Sequence, residues 1–151
     1  MSLKTLCAAI AGFFLLAAAA PSATAQSAAD ACSLLTQAQV SAVVGTQLSA
    51  GQYVMPTFKT TCTWSVPGKI VTLMITTPAT FAAGKTSPAY KVVPASGVGD
   101  DAYYVVTGGT MVSLIVKKGN TAFKTSVYIQ LPLDTLETME KTLARQVASE
   151  L

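Results

Sequence analysis

Hydrophobic and polar residues alternate with two different periods along this chain, and the periods mark out its elements. From Thr60 to Val66 (TTCTWSV) the alternation is strict. Cys62, Trp64 and Val66 fall on one side, Thr61, Thr63 and Ser65 on the other, which is the pattern of a half-buried β-strand. Pro67-Gly68 is a turn signal. Lys69–Thr76 (KIVTLMIT) then resumes the alternation, with Val71, Leu73 and Ile75 opposite Ile70, Thr72 and Met74. The two segments read as a β-hairpin. Three more strands are predicted at close spacing, over Ala102–Val106, Met111–Lys117 and Ala122–Ile129, joined by Gly108-Gly109 and Gly119-Asn120. Those pairs suit tight hairpins, whose turns require positive φ. The result is an antiparallel meander with Val112, Leu114, Val116, Phe123, Val127 and Ile129 as inward candidates.

The helical period appears near both ends. Thr36 with Gln39 fits a capping box. Val40, Val43 and Val44 form a stripe, and Gly45 suits the position just past a helix, so a helix is predicted over 36–44. At the other end Pro132 stops the last strand and Asp134 with Glu137 fits a second capping box. Leu136, Met139, Leu143 and Val147 then lie on one stripe. Glu137, Glu140, Lys141 and Arg145 fall at other positions, where capping and solvation account for the acids, and Glu137–Lys141 is a favourable pair one turn apart. Between these regions, residues 77–97 are punctuated by Pro78, Gly84, Pro88, Pro94 and Gly97. A short helix around Thr80–Ala83 and a brief edge strand at Lys91-Val92-Val93 are options within it. A connection of this length is often functional or else simply mobile. The expected fold is α+β: an antiparallel sheet of about five strands, with an N-terminal and a C-terminal helix packed on one face.

Ahead of the domain, residues 1–25 match a secretory signal peptide. Lys4 is their one charge, an uninterrupted apolar run extends from Leu6 to Ala20, and Pro21 precedes the small residues Ala23-Thr24-Ala25 expected at the cut. The run has 15 residues, short of the roughly 20 that a spanning helix needs. Cleavage near Ala25 would leave residues 26–151 as a single secreted or periplasmic domain with no membrane span. The leader also explains the composition. The whole chain is 51% hydrophobic, and removing the leader brings that proportion into the ordinary globular range.

Charge and missing residue types narrow the function. A net charge of +3 is far from the footprint of a nucleic-acid binder, so no nucleic-acid partner is expected. The chain has no histidine, which removes Ser-His-Asp and Cys-His catalysis and every zinc site that uses an imidazole. Of three cysteines, Cys7 departs with the leader. Cys32 and Cys62 remain in a chain bound for an oxidising compartment, and a disulfide is the default reading. No CxxC motif exists and only Lys59 lies near Cys62, so nothing favours a reactive thiolate. Closing that loop is worth about 3.7 kcal/mol in the chain-entropy model and would tie the first helix to the inner face of the hairpin. Cys32 follows Ala-Asp-Ala, which does not match a lipidation site.

The order of motifs resembles the DUF3558-like group of small exported bacterial proteins and lipoproteins. The matching residues are Cys32-Ser33-Leu34-Leu35-Thr36 opening a helix that ends at Gly45, and Cys62-Thr63-Trp64. Gly97-Val98-Gly99-Asp100-Asp101-Ala102-Tyr103 leads into the meander, the turn Val116-Lys117-Lys118-Gly119-Asn120 follows, and a C-terminal helix closes the chain. The resemblance covers nearly the whole mature chain. It implies an exported α+β domain with one disulfide, and carries over no catalytic residues.

Candidate chemistry is sparse. Gly97-Val98-Gly99-Asp100-Asp101 lacks the lysine and following helix of a phosphate loop. Asp100 and Asp101 point to opposite faces of a strand, with no third carboxylate near enough for calcium. No metal or cofactor is expected. The sheet face away from the helices is more informative. It would carry Thr61, Thr63, Ser65, Thr72, Met74, Ser113, Ile115, Lys124, Ser126 and Tyr128, with Tyr103 or Tyr104 according to register. Tyrosine among hydroxyl residues makes a serviceable binding surface, although β-propensity alone also selects threonine there. Thr63, Thr72, Met74, Ile115, Lys124 and Tyr128 are the candidate binding residues. The first expectation is a non-enzymatic exported module that recognises a protein or cell-envelope component through this face. The alternative is a small-ligand carrier with a pocket under residues 77–97. A hydrolase working without histidine is third. The sequence leaves the oligomeric state open.

Overall fold

The strictest alternation in the sequence builds the middle of a sheet. In the computed structural model, which describes residues 30–151, strands β2 (Phe58–Val66) and β3 (Lys69–Thr76) form the expected hairpin about Pro67-Gly68. The meander follows as β5 (Asp101–Thr107), β6 (Met111–Lys118) and β7 (Thr121–Tyr128). β7 pairs with β3, which joins the two units. The signal-peptide reading of residues 1–25, with Cys7, lies outside the described residues.

The sheet has seven strands rather than about five, all antiparallel, in the order β1-β2-β3-β7-β6-β5-β4. β4 (Lys91–Ala95) is the edge strand noted at Lys91-Val92-Val93, lengthened through Pro94. A proline is tolerated there because the outer side of an edge strand donates to no ladder. β1 (Gln52–Met55) is new. Tyr53 is half-buried and its neighbours are exposed, so no alternation marked it.

One face holds the main core. Trp64, Val71, Leu73, Leu114, Val116 and Phe123 are buried there against Leu35, Val40, Leu136, Leu143 and Val147. α3 (Leu133–Glu150) packs on β6 and β7 on this face, and α1 (Gln37–Val44) packs against α3 and adds Val40 and Val44 to the same core. In α1 the capping box forms: the Thr36 hydroxyl accepts from the Gln39 N–H at 3.2 Å and Gln39 Oε1 accepts from the Thr36 N–H at 2.8 Å. Gly45 closes the helix at φ 70°. Cys32 and Cys62 are disulfide-bonded, pinning the 3-10 turn Ala31–Ser33 ahead of α1 to the inner side of β2.

Two details of α3 correct the sequence reading. The Asp134–Glu137 capping box does not form; Pro132 occupies the cap position, with no side-chain cap. Asp134 Oδ1 instead accepts from the adjacent Thr135 N–H at 2.9 Å. The buried stripe is Leu136, Glu140, Leu143, Ala144 and Val147, with Met139 only partly buried. Glu140 is therefore not solvated. It is 0% exposed, because positions four after Leu136 and three before Leu143 lie on the same face of a helix.

A third helix, α2 (Pro78–Lys85), enlarges the short helix suggested around Thr80–Ala83. It belongs to the crossing that carries the chain from β3 to the far edge at β4. It packs on β6 and β7 from the side opposite α3, as its contact between Phe81 and Ile115 requires. Helices therefore flank both faces of the sheet.

Candidate functional site

The strand registers place residues of the second face in rows. Met74, Lys124, Ile115 and Tyr103 stand side by side across β3, β7, β6 and β5. The next row runs Thr63, Thr72, Ser126, Ser113 and Val105. The row on the other side is Thr76, Ala122, Lys117 and Asp101. Tyr103 is thus the tyrosine that joins this face. Tyr104 lies on the helix side, where its hydroxyl donates to the Glu137 carbonyl at 3.3 Å.

α2 is fixed over part of this face by local chemistry. The Thr77 hydroxyl caps it, accepting from the Thr80 N–H at 3.2 Å, and Pro78 suits the first turn because its missing N–H would have no partner there. Phe81 then points at the sheet and packs with Tyr103, Ile115 and Ala122 in a small separate cluster. The Phe81 and Tyr103 rings are 5.0 Å apart and tilted by 57°, within the range of favourable aromatic pairs. The Tyr103 hydroxyl donates to the Phe81 carbonyl at 3.0 Å. Gly84 passes so close to that hydroxyl that a Cβ would collide with it. Lys85 and Asp101 form an ion pair at 2.6 Å.

Beside these anchors α2 leaves a cavity of about 270 Å³. Its lining includes Met74, Ser113, Ile115, Lys124, Tyr103 and Val105 from the sheet, Thr80, Phe81 and Gly84 from α2, and Tyr90 from the segment before β4. Met111 and Tyr128 complete one side. The walls are mainly thioether, aliphatic and aromatic. Lys124 is the one lysine among the lining residues, and none of them is a carboxylate. Burial pushes the Tyr103 phenol above its ordinary pKa, with Asp101 adding to the effect, so it stays a neutral donor at pH 7.

Four of the six candidate binding residues, Met74, Ile115, Lys124 and Tyr128, meet at this cavity. Thr63 and Thr72 do not line it. They lie a row away with their hydroxyls 3.4 Å apart, and Ser113 and Ser126 pair similarly at 2.8 Å. The face is also less open than expected, because α2 covers part of it: Ile115 is 8% exposed and Ser126 0%. The large apolar lining residues outside the predicted face are Phe81, Tyr90, Val105 and Met111. The readable signal for Phe81 was its isolation as the one large apolar side chain between Pro78 and Lys85.

Elsewhere, the Gly97–Asp101 segment is a structural joint. Gly99 has φ 59° and no room for a Cβ beside Val116 and the Lys117 carbonyl. The Gly97 carbonyl accepts from Arg145 Nε at 3.0 Å. Asp100 Oδ2 accepts from the Gly119 N–H at 2.7 Å, and this bond, helped by Lys118, holds the carboxyl below its usual pKa. Asp100 and Asp101 thus serve different partners. Two more open grooves, of about 580 and 610 Å³, lie at the Ile129–Pro132 end of the sheet and between α1 and α3. The first shares Met111 and Tyr128 with the α2 cavity, and neither is lined by Met74, Ile115 or Lys124.

Glu140 belongs to the opposite face. Beyond the last β6–β7 pair, Ser113 with Ser126, the Val127 N–H donates to Glu140 Oε1 at 3.0 Å, while Oε2 has no hydrogen-bond partner among the described residues. Burial pushes this carboxyl up to about 9, against the opposing pull of the Val127 and Leu114 backbone amides. It is therefore protonated at neutral pH. Comparisons with protein-family models, curated proteins and solved structures each find no match.

Proposed function

We propose that the protein is an exported, non-enzymatic binding module that holds a small ligand in the cavity between α2 and the sheet. The single observation that carries this reading is the placement of α2. The helix of the 77–97 segment stands over the candidate face, and its cavity gathers Met74, Ile115, Lys124 and Tyr128 with Phe81 and Tyr103. An apolar hollow with a few convergent polar groups is the usual form of a small-molecule site. At about 270 Å³ it suits a compact ligand, since a cavity of about 150 Å³ already holds benzene.

Recognition of a protein or envelope component through the uncovered remainder of the face is less well supported. The hydroxyls that would make those contacts, Thr63 with Thr72 and Ser113 with Ser126, lie within reach of each other. The export reading rests on the leader pattern in residues 1–25 and on the disulfide, which persists in oxidising compartments. We place the chain with the DUF3558-like exported proteins on the order of its motifs.

Native mass spectrometry of gently purified mature protein tests the carrier. A bound small molecule is expected, and Met74→Trp, which fills the cavity, is expected to abolish it while leaving the melting temperature within a few degrees. An empty protein, or a bound molecule that survives Met74→Trp, would overturn the reading.

A further inference from the structure

We propose that the cavity selects an organic anion, a flat apolar body carrying one carboxylate, and that Lys124 is the residue that reads the charge. This rests on the carrier reading and adds the class of ligand. Lys124 rises from the central strand β7 between Met74 and Ile115. Lys124 is half-buried and lines the cavity, and a lysine so placed lays its aliphatic stem along apolar neighbours while keeping its ammonium at the wet end.

The charge balance around it is one-sided. None of the lining residues is acidic. On the same face Asp101 belongs to the adjacent row and is engaged by Lys85 at 2.6 Å. The ion pairs formed among the described residues use Lys59, Lys85 and Lys118, so Lys124 has no carboxylate within bonding distance there. A partly shielded ammonium without a counterion attracts an anion more strongly than it would in water. A neutral ligand of the same shape would strip water from the ammonium and return at most a hydrogen bond without the opposite charge.

The walls specify the remainder of the ligand. Tyr90 and Tyr128 are exposed and offer ring surfaces, and Met74 and Met111 offer thioethers, which make favourable contacts with aromatic rings. A body of one or two fused rings fits a volume of about 270 Å³, judged against the benzene-sized cavity of about 150 Å³.

The test uses three matched probes: 2-naphthoate, 2-naphthalenemethanol and 2-naphthylmethylammonium. Each is titrated by fluorescence against the mature protein and against Lys124→Met, Lys124→Arg and Met74→Trp, all verified as folded by circular dichroism. The mature protein should bind the naphthoate at least about tenfold more tightly than the alcohol, the size of a charge-assisted hydrogen bond, with the ammonium weakest. Lys124→Met should erase that preference while keeping the alcohol, and Lys124→Arg should retain it. Equal binding of naphthoate and alcohol, or a preference that persists in Lys124→Met, overturns the anion assignment and leaves the carrier standing. If no probe binds, or if Met74→Trp binds all three unchanged, the carrier reading and the anion assignment fall together.

Discussion

On one face of the sheet Trp64, Leu73, Leu114 and Phe123 are sealed beneath α1 and α3, with a disulfide at one side and an acid buried in the seam. On the other, Phe81, Tyr103, Ile115 and Ala122 make a separate cluster beneath an eight-residue helix, with a cavity beside it. Both faces derive from the same alternating strands. They differ in what covers them. A long amphipathic helix buries a whole stripe at once. A short helix seated through one aromatic residue leaves space. The first arrangement supplies the cooperative core. The second leaves a region that can open without unfolding the sheet, which is where binding sites tend to be found.

The largest expected effect follows from that contrast. Trp64 is 1% exposed, and Trp64→Ala should cost about 3–5 kcal/mol of stability in denaturant titrations. Phe81 is nearly as buried at 4%, yet Phe81→Ala should cost only about 2 kcal/mol, because α2 can settle into the vacated space. Equal losses would mean that the two faces belong to one core.

The next effect is confined to the sealed face and is read through pH. The Glu140 carboxyl has an ordinary pKa of 4.5 and stands at about 9 in the folded chain. The folded state therefore holds a proton that the unfolded chain releases between those values. The stability linked to that proton is fully present below about pH 4.5, declines as pH rises and is gone above about pH 9. The limiting slope is about 1.4 kcal/mol per pH unit. Glu140→Gln mimics the protonated acid: its amide oxygen can still accept from the Val127 N–H. It should remove the slope and exceed the parent in stability at pH 8. A parent melting temperature level from pH 5 to 8.5, or a slope that persists in the variant, would refute this assignment.

The same contrast explains what could be read beforehand. The β2–β3 hairpin is legible because its strands alternate between a buried and a wetter side, and the meander, buried on both sides over much of its length, because Gly108-Gly109 and Gly119-Asn120 mark its turns. The Thr36–Gln39 box and the Cys32–Cys62 pair were legible because their chemistry is local or scarce. β1 escaped because most of its residues are exposed, so burial imposes no period on Gln52–Met55. Glu140 is hidden because a charged residue type reads as a surface position, although its spacing from Leu136 and Leu143 puts it on the apolar stripe. The cavity was half legible. Strand parity gave Met74, Ile115, Lys124 and Tyr128. Its roof depends on how the 77–97 segment folds back over the sheet, and no periodicity encodes that.

The smallest expected effect isolates the roof. Lys85 and Asp101 tie the last turn of α2 to the start of β5 at 2.6 Å, with both side chains more than two-fifths exposed. Water screens such a pair, so Asp101→Asn should change global stability by less than about 0.5 kcal/mol. Locally the tie matters more, because α2 is otherwise held by Phe81, the Tyr103 hydrogen bond and the close fit at Gly84. Amide hydrogen exchange should therefore quicken severalfold at Phe81, whose N–H donates to the Thr77 carbonyl at 3.0 Å, and along the turn that follows. Exchange in the α3-covered strands, as at Val127, should stay unchanged. A change shared by both faces would show that α2 unfolds only with the sheet, and an unchanged α2 would show that Phe81 and Tyr103 suffice to seat it.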